Sequence, residues 1–266
     1  MYLFLTDKCN MSCEYCYEKL RIINSSNINI YNTIDFINKF DYIDELVFFG
    51  GEPLIEYENI FNIINGIKSK VYKYFISTNG VLLDKTKYNK LIENKIKVQY
   101  SIHNINNITL LEKDIFYHIT LNGDDVDNLL KLYEMGFLDS YRVWISINRY
   151  SKNEFLIDDF IRIKNKDIDA YLSILKSFKK VKHVGKDCCC YSGNGILYNC
   201  CNGDTYPCAN LMYLNEKHPK PIKECIYCKN DYCTACVCDN LKNGNSKKII
   251  CEFFKFIKKE KIKYDV

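Results

Sequence analysis

No stretch of the 266-residue sequence is both long and uncharged enough to span a bilayer, and the opening MYLFLTDK has too short an apolar run for a signal peptide. An excess of either charge is missing as well: 37 Lys and Arg against 33 Asp and Glu leave a formal net charge of +4, with the two signs interspersed. That balance gives no electrostatic case for a nucleic-acid polymer as the main partner. The expectation is a cytoplasmic protein with neither membrane nor nucleic acid as its partner. Cysteine is absent from the middle of the chain, with none between Cys16 and Cys188, although the whole sequence holds 15. Disulfides do not persist in a reducing compartment, so a chain this rich in cysteine reads as a metal protein rather than a cross-linked one. Three cysteines stand in the opening segment and the other twelve fall in residues 188 to 251. Two metal-bearing regions thus flank a cysteine-free body.

The body alternates strand and helix patterns. LFLT (3–6), ELVFFGG (45–51), YKYFIST (72–78), IKVQYSIH (96–103), IFYHITL (115–121) and YRVWISI (141–147) have strand length and β-branched or aromatic content. Ile60, Phe61, Ile64 and Ile67 recur at helical spacing after the second strand; Leu129, Leu130 and Tyr133 do so before Gly136. A further helix is expected around 167–179, with Ile168, Tyr171, Leu172, Leu175 and Phe178 on one face. Residues 104–114 are too few for a regular crossover helix. The fold class is α/β, a parallel sheet or partial barrel, and 47% hydrophobic residues supply its core.

Function in such folds collects at the carboxyl ends of the strands. Cys9 follows the first strand, GGEP (50–53) the second, STNG (77–80) the third, and Ser101 with His103 the fourth. Gly50 and Gly51 allow close approach to the backbone, and Pro53 stiffens the turn. The loop KCNMSCEYCYEK (8–19) places Cys9, Cys13 and Cys16 together. A structural zinc or a closed cubane cluster takes four protein ligands, so a tight group of three suggests that one coordination position is left for something else.

The C-x3-C-x2-C loop after strand one, Tyr15 just before its third cysteine, and GGEP after strand two resemble the radical S-adenosylmethionine (SAM) enzymes over roughly residues 1 to 150. The resemblance implies a partial (β/α)6 barrel in which Cys9, Cys13 and Cys16 hold a [4Fe-4S] cluster whose fourth iron takes SAM. It implies reductive cleavage of SAM to a 5′-deoxyadenosyl radical, with the protein orienting the reactants and excluding water. It also puts the backbone of Gly50, Gly51, Glu52 and Pro53 at the methionine amine, Tyr15 beside the adenine, and Ser77 and Asn79 within reach of the ribose. Polar residues in a strand-end turn are common in any fold, which is the plain alternative for the last pair.

The tail resembles the SPASM extension of radical SAM enzymes. Cys190-x12-Gly203-x4-Cys208 and Cys225-x2-Cys228 follow that pattern; the spacings to Cys233 and Cys236 are each one residue short, and Cys238 and Cys251 follow. The resemblance implies two auxiliary clusters: an inner one on Cys190, Cys208 and either Cys236 or Cys238, and an outer one on Cys225, Cys228, Cys233 and Cys251. A fourth inner ligand is Cys200 or Cys201, or the position is open to substrate; Cys188 and Cys189 have no role in the pattern. A zinc ribbon is the competing reading, but it requires two C-x2-C knuckles about 15–20 residues apart. The domain division expected is 1–182 for the barrel and 183–266 for the SPASM extension.

By this resemblance the activity is modification of a peptide or protein side chain, by crosslinking or oxidation, with a flavodoxin or ferredoxin as reductant. The chain starts at its first barrel strand, so leader-peptide recognition is expected from a separate binding protein or from the barrel face. Formylglycine formation by a sulfatase-maturing type of enzyme is the alternative; Ala209 stands where those enzymes carry an aspartate base. A non-catalytic multi-cluster electron carrier is the alternative of another class, opposed by the three-cysteine loop and GGEP. His103 replaces a commonly acidic position and either contacts substrate or is satisfied by its neighbours. The basic, amphipathic CEFFKFIKKEKIK (251–263) is expected to pack Phe253, Phe254 and Ile257 on the cluster region or barrel, with lysines facing water.

Overall fold

A computed structural model of the protein describes residues 1–13, 16, 27–102, 115–121, 126–136, 143–147, 157–178, 196–206, 209–213 and 246–266. The chain forms two compact units, Met1–Phe116 with Asn194–Pro219, and Tyr117–Gly193 with Lys220–Val266.

The first unit is built on a sheet of β1 (Tyr2–Phe4), β2 (Tyr42–Phe49), β3 (Lys70–Thr78) and β4 (Ile96–Ile102), all parallel, with Leu3 opposite Phe48, Leu46 opposite Tyr74 and Ile76 opposite Val98. Period-two burial shows why these segments become strands: Ile96, Val98, Tyr100 and Ile102 all point into the core while Lys97 faces out. Each such aliphatic side chain contributes about 1.5–3 kcal/mol when fully buried. Three helices connect the strands, α1 (Ile30–Ile37), α2 (Tyr57–Gly66) and α3 (Lys85–Glu93). Asn29 caps α1 by accepting from the Asn32 N–H at 3.0 Å, and Asp84 caps α3 by accepting from Lys87 N–H at 2.8 Å. Ile60, Phe61 and Ile63 carry the buried face of α2.

On the far side of β1 a strand arrives from the cysteine-rich stretch. Leu197–Asn199 pairs with β1 in parallel, Leu3 opposite Tyr198, then turns through an antiparallel hairpin into Thr205–Tyr206. With the intervening helices and β5 (Phe116–Leu121) and β6 (Val143–Ile147) of the other unit counted, these strands are β7 and β8. Gly203, the glycine of the C-x12-G-x4-C pattern, turns that hairpin at φ +78, where a side chain would be strained. The short helix Ala209–Tyr213 closes this edge, with Met212 and Tyr213 packed on Phe4, Phe49, Leu197 and Tyr206.

The second unit pairs β5 with β6 in parallel and surrounds Phe160 with aromatic rings. Its helices are α4 (Val126–Glu134), α5 (Ile157–Lys166), α6 (Ile168–Ser177), and, after Ala209–Tyr213 as α7, α8 (Ser246–Tyr264). Phe253, Phe254 and Ile257 of α8 are buried, and the rings of Phe253 and Phe254 meet Phe178 while Phe253 also meets Phe160. The apolar face of the C-terminal helix is therefore satisfied by the ends of α5 and α6. Lys255, Lys259 and Lys263 face water as the sequence suggests. Lys261 does not: its ammonium is buried and donates to the Leu175 carbonyl at 2.9 Å, neutralising the last turn of α6. Glu260 accepts from Lys164 at 2.8 Å and from the Tyr171 hydroxyl at 2.6 Å. No helix among the described residues is long and apolar enough to cross a membrane.

Candidate cofactor site

The carboxyl ends of β1, β2 and β3 lie side by side because the three strands are parallel and in register. After β1 the chain continues through Leu5, Thr6, Asp7 and Lys8 to Cys9, and after β2 it turns at Gly50 and Gly51. Backbone bonds zip the two exits together: Leu5 N–H donates to the Phe49 carbonyl at 2.9 Å, Gly51 N–H to Thr6 at 2.8 Å, and Glu52 N–H to Lys8 at 2.9 Å. A Cβ on Gly50 would lie 2.4 Å from the Thr6 carbonyl oxygen, and one on Gly51 2.4 Å from that of Lys8. Glycine is required here by the closeness of two backbones. The turn then enters a 3-10 segment, Pro53–Glu56, with buried Pro53 at its start.

Glu52 is fully buried and its side chain turns inward. One carboxylate oxygen accepts from the Leu54 N–H at 2.9 Å and the Thr78 hydroxyl at 2.7 Å; the other accepts from the Asn79 N–H at 2.8 Å. The acid thereby clamps the exit of β2 to the exit of β3. Burial pushes its carboxyl above the ordinary glutamate value, and the bonds from Thr78, Asn79 and Leu54 pull it back only in part. The folded chain then holds this proton more tightly than the unfolded chain. The associated stability is fully present below the ordinary glutamate pKa, about 4.3, and is lost as pH rises through the raised native value. Urea unfolding of metal-free protein across this window should show wild type losing stability with pH relative to Glu52→Gln. Parallel curves would contradict the assignment.

Asn79, nine-tenths buried, lies at the meeting point of these exits. Its side-chain amide donates to the Asn10 side-chain oxygen at 2.8 Å and reaches the Cys9 sulfur at 3.7 Å; its own oxygen accepts from the Val81 N–H at 3.0 Å. The Met11 N–H also donates to the Cys9 sulfur, at 3.4 Å. Ser77 is half-buried, opposite Gln99 in the β3–β4 register. Thr78 and Asn10 were not singled out by sequence reasoning. Thr78 belongs to STNG, but nothing in a sequence says that a glutamate 26 residues earlier turns inward to meet it.

Cys9 is exposed and Cys13 and Cys16 are partly so, with the Cys16 N–H donating to the Cys13 carbonyl at 3.1 Å. The three thiols share one loop but are not gathered: among the described residues no group of three or more His, Cys, Asp or Glu side chains stands where it could hold a metal ion. In donor chemistry the set still fits an iron–sulfur cluster, because thiolates mutually repel and ligand gathering is coupled to metal binding. Cys200 and Cys201 follow β7. Cys200 is buried, which pushes its thiol far above the ordinary value, and Cys201 donates to the Leu5 carbonyl at 3.2 Å. Tyr15, His103, Cys188, Cys189, Cys190, Cys208, Cys225, Cys228, Cys233, Cys236 and Cys238 lie outside the described residues, and Cys251 falls on α8.

Residues 3–115 match the model of the Radical SAM superfamily. The chain is 25% identical over 181 residues to an uncharacterized protein of Methanocaldococcus jannaschii, covering 60% of this chain and 56% of that one. It is 32% identical over 180 residues to a GTP 3',8-cyclase of Clostridium perfringens, covering 61% of this chain and 50% of that one. The chain thus spans about half the length of these relatives. Among solved structures, native anSMEcpe with bound AdoMet and Cp18Cys peptide shares the fold at TM-score 0.57, with 16% identity over 78% of this chain and 73% of that one. The family match takes in the three-cysteine loop and the glycine turn but less than half of the chain, and the likeness to the solved structure is one of fold.

Proposed function

We propose that the protein is a radical SAM enzyme that modifies a peptide or protein side chain, with auxiliary clusters held by its C-terminal cysteines. The observation that carries the radical SAM part is the zipper of Thr6, Lys8, Gly51 and Glu52, which fixes the three-cysteine loop against the glycine turn at one end of a parallel sheet. Cys9, Cys13 and Cys16 would hold the cluster, which together with SAM supplies one-electron cleavage of a sulfonium bond. The chain's own part is positional. Gly50 and Gly51 keep the two backbones close, and Glu52 ties the exit of β2 to that of β3.

The peptide part is supported by the SPASM-like cysteine spacing, by the left-handed turn at its Gly203, and by the shared fold with a protein solved with a peptide. Formylglycine formation is disfavoured because Ala209 packs on the Phe4–Phe49 apolar cluster and brings no acid or base there. A second reading, a nucleoside triphosphate as substrate, is favoured by the likeness to GTP 3',8-cyclase. The test is anaerobic turnover with SAM and dithionite, following 5′-deoxyadenosine and product mass. The first arm uses a short cysteine-containing peptide encoded beside the gene, the second a sulfatase-derived peptide, the third GTP. A mass change in the first arm alone is expected. Product from GTP alone would replace the peptide reading, efficient formylglycine would restore the maturase reading, and no SAM cleavage in any arm would defeat the enzyme assignment.

A further inference from the structure

We propose that Asn79 is a positioning residue for Cys9, held in place by the buried Glu52–Thr78 clamp, and that its side-chain amide sets how readily the site takes up an electron. This rests on the reading of Cys9 as a cluster ligand. The geometry is specific. Asn79 is anchored through its backbone N–H to Glu52 at 2.8 Å and through its side-chain oxygen to Val81 at 3.0 Å, so the amide nitrogen has one direction left to point. Along it lie the Asn10 oxygen at 2.8 Å and the Cys9 sulfur at 3.7 Å. Rotating the amide by half a turn would bring its NH2 against the Val81 N–H, two donors facing each other, so the observed orientation is the one the surroundings accept.

A donor aimed at a ligand sulfur withdraws charge from it, which favours the reduced, more negative state of an iron–sulfur site. The Met11 N–H at 3.4 Å is a second such donor, but it belongs to the backbone of the loop itself. Asn79 is different because it comes from another strand, 70 residues away, and therefore also fixes where the start of the loop sits relative to β3. Asn10 shares the amide with Cys9. Removing Asn10 frees the amide for the sulfur, whereas removing the amide leaves the sulfur, among the described residues, with the Met11 donor.

The two changes should act in opposite senses. Reconstituted protein is first assayed for iron and sulfide, and the EPR signal that changes on adding SAM identifies this site among any other clusters. In a redox titration of that signal, Asn79→Ala should lower the one-electron equilibrium constant about tenfold, a shift of ~59 mV to lower potential. Asn79→Asp, which keeps an oxygen for Val81 and loses the donor, should lower it at least as far; Asn10→Ala should leave it level or raise it. Failure of both Asn79 variants to hold iron while they melt with the wild type would also support the role, since the amide would then be needed to place Cys9. Unchanged potentials in both Asn79 variants, or an equal fall in Asn10→Ala, would overturn it. Wild-type protein that takes up no cluster would instead defeat the parent reading of Cys9.

Discussion

Gly51→Ala is expected to cost about 3 kcal/mol of stability in the first unit and to lower cluster occupancy at the Cys9 loop, through sterics alone. The added Cβ would stand 2.4 Å from the Lys8 carbonyl oxygen and 2.8 Å from that of Asp7. Both are backbone atoms, so no side chain can swing aside. The strand exits must part, and the bonds from Gly51 to Thr6 and from Glu52 to Lys8 lengthen with them. Gly136→Ala is the useful contrast. Gly136 has a left-handed φ of +69 but nothing within 4 Å of its Cβ position, so its replacement should cost only the backbone strain, about 1–2 kcal/mol. Urea unfolding with iron determination separates the two: Gly136→Ala should keep its iron and Gly51→Ala should not. Equal behaviour would mean that the approach of the two backbones does not organise the loop.

The six body strands were legible because each buries alternate or continuous apolar residues over strand length, as β4 does from Ile96 to Ile102. The helix at 168–177 and the burial of Phe253, Phe254 and Ile257 followed from spacing in the same way, but the face of that helix is shifted: Ala170, Tyr171, Ile174 and Leu175 are buried, whereas Ile168 is exposed and Leu172 only half-buried. What the sequence could not show was pairing between distant segments. Leu197–Asn199 is too short to announce itself as a strand, and only its register with Tyr2–Phe4 makes it one. The Glu52 clamp was hidden for a related reason: a carboxylate in a glycine-rich turn looks solvent-facing until the Thr78 hydroxyl and the Leu54 and Asn79 amides are placed around it. The basic stripe around Lys261 suggests a solvated lysine, yet the carbonyls at the end of α6 draw it inward. Cysteine spacing identified a ligand loop but carried no information on which thiols a folded chain buries. Cys200 is enclosed in the first unit, whereas Cys9 is exposed.

Replacing Cys9, Cys13 and Cys16 together by alanine should abolish SAM cleavage while leaving the fold and the remaining iron in place. The structural part of this expectation comes from exposure. Cys9 is at the surface and the other two are partly so, and the bonds that secure the loop's base run through Thr6 and Lys8 rather than through sulfur. Removing the three thiols therefore opens no core cavity, and unfolding of the metal-free variant should lie within about 0.5 kcal/mol of wild type. The chemical part comes from the division of the cysteines, three before the cysteine-free body and twelve after it. If the C-terminal set holds clusters of its own, the variant should lose about four irons per chain and retain the rest, with the SAM-sensitive EPR signal gone. Cys208→Ala should do the reverse, keeping that signal and the release of 5′-deoxyadenosine while the yield of modified peptide falls sharply. A triple variant that lost every iron would mean that the C-terminal cysteines hold no independent cluster. Persistent SAM cleavage in it would remove the three-cysteine loop from the active site.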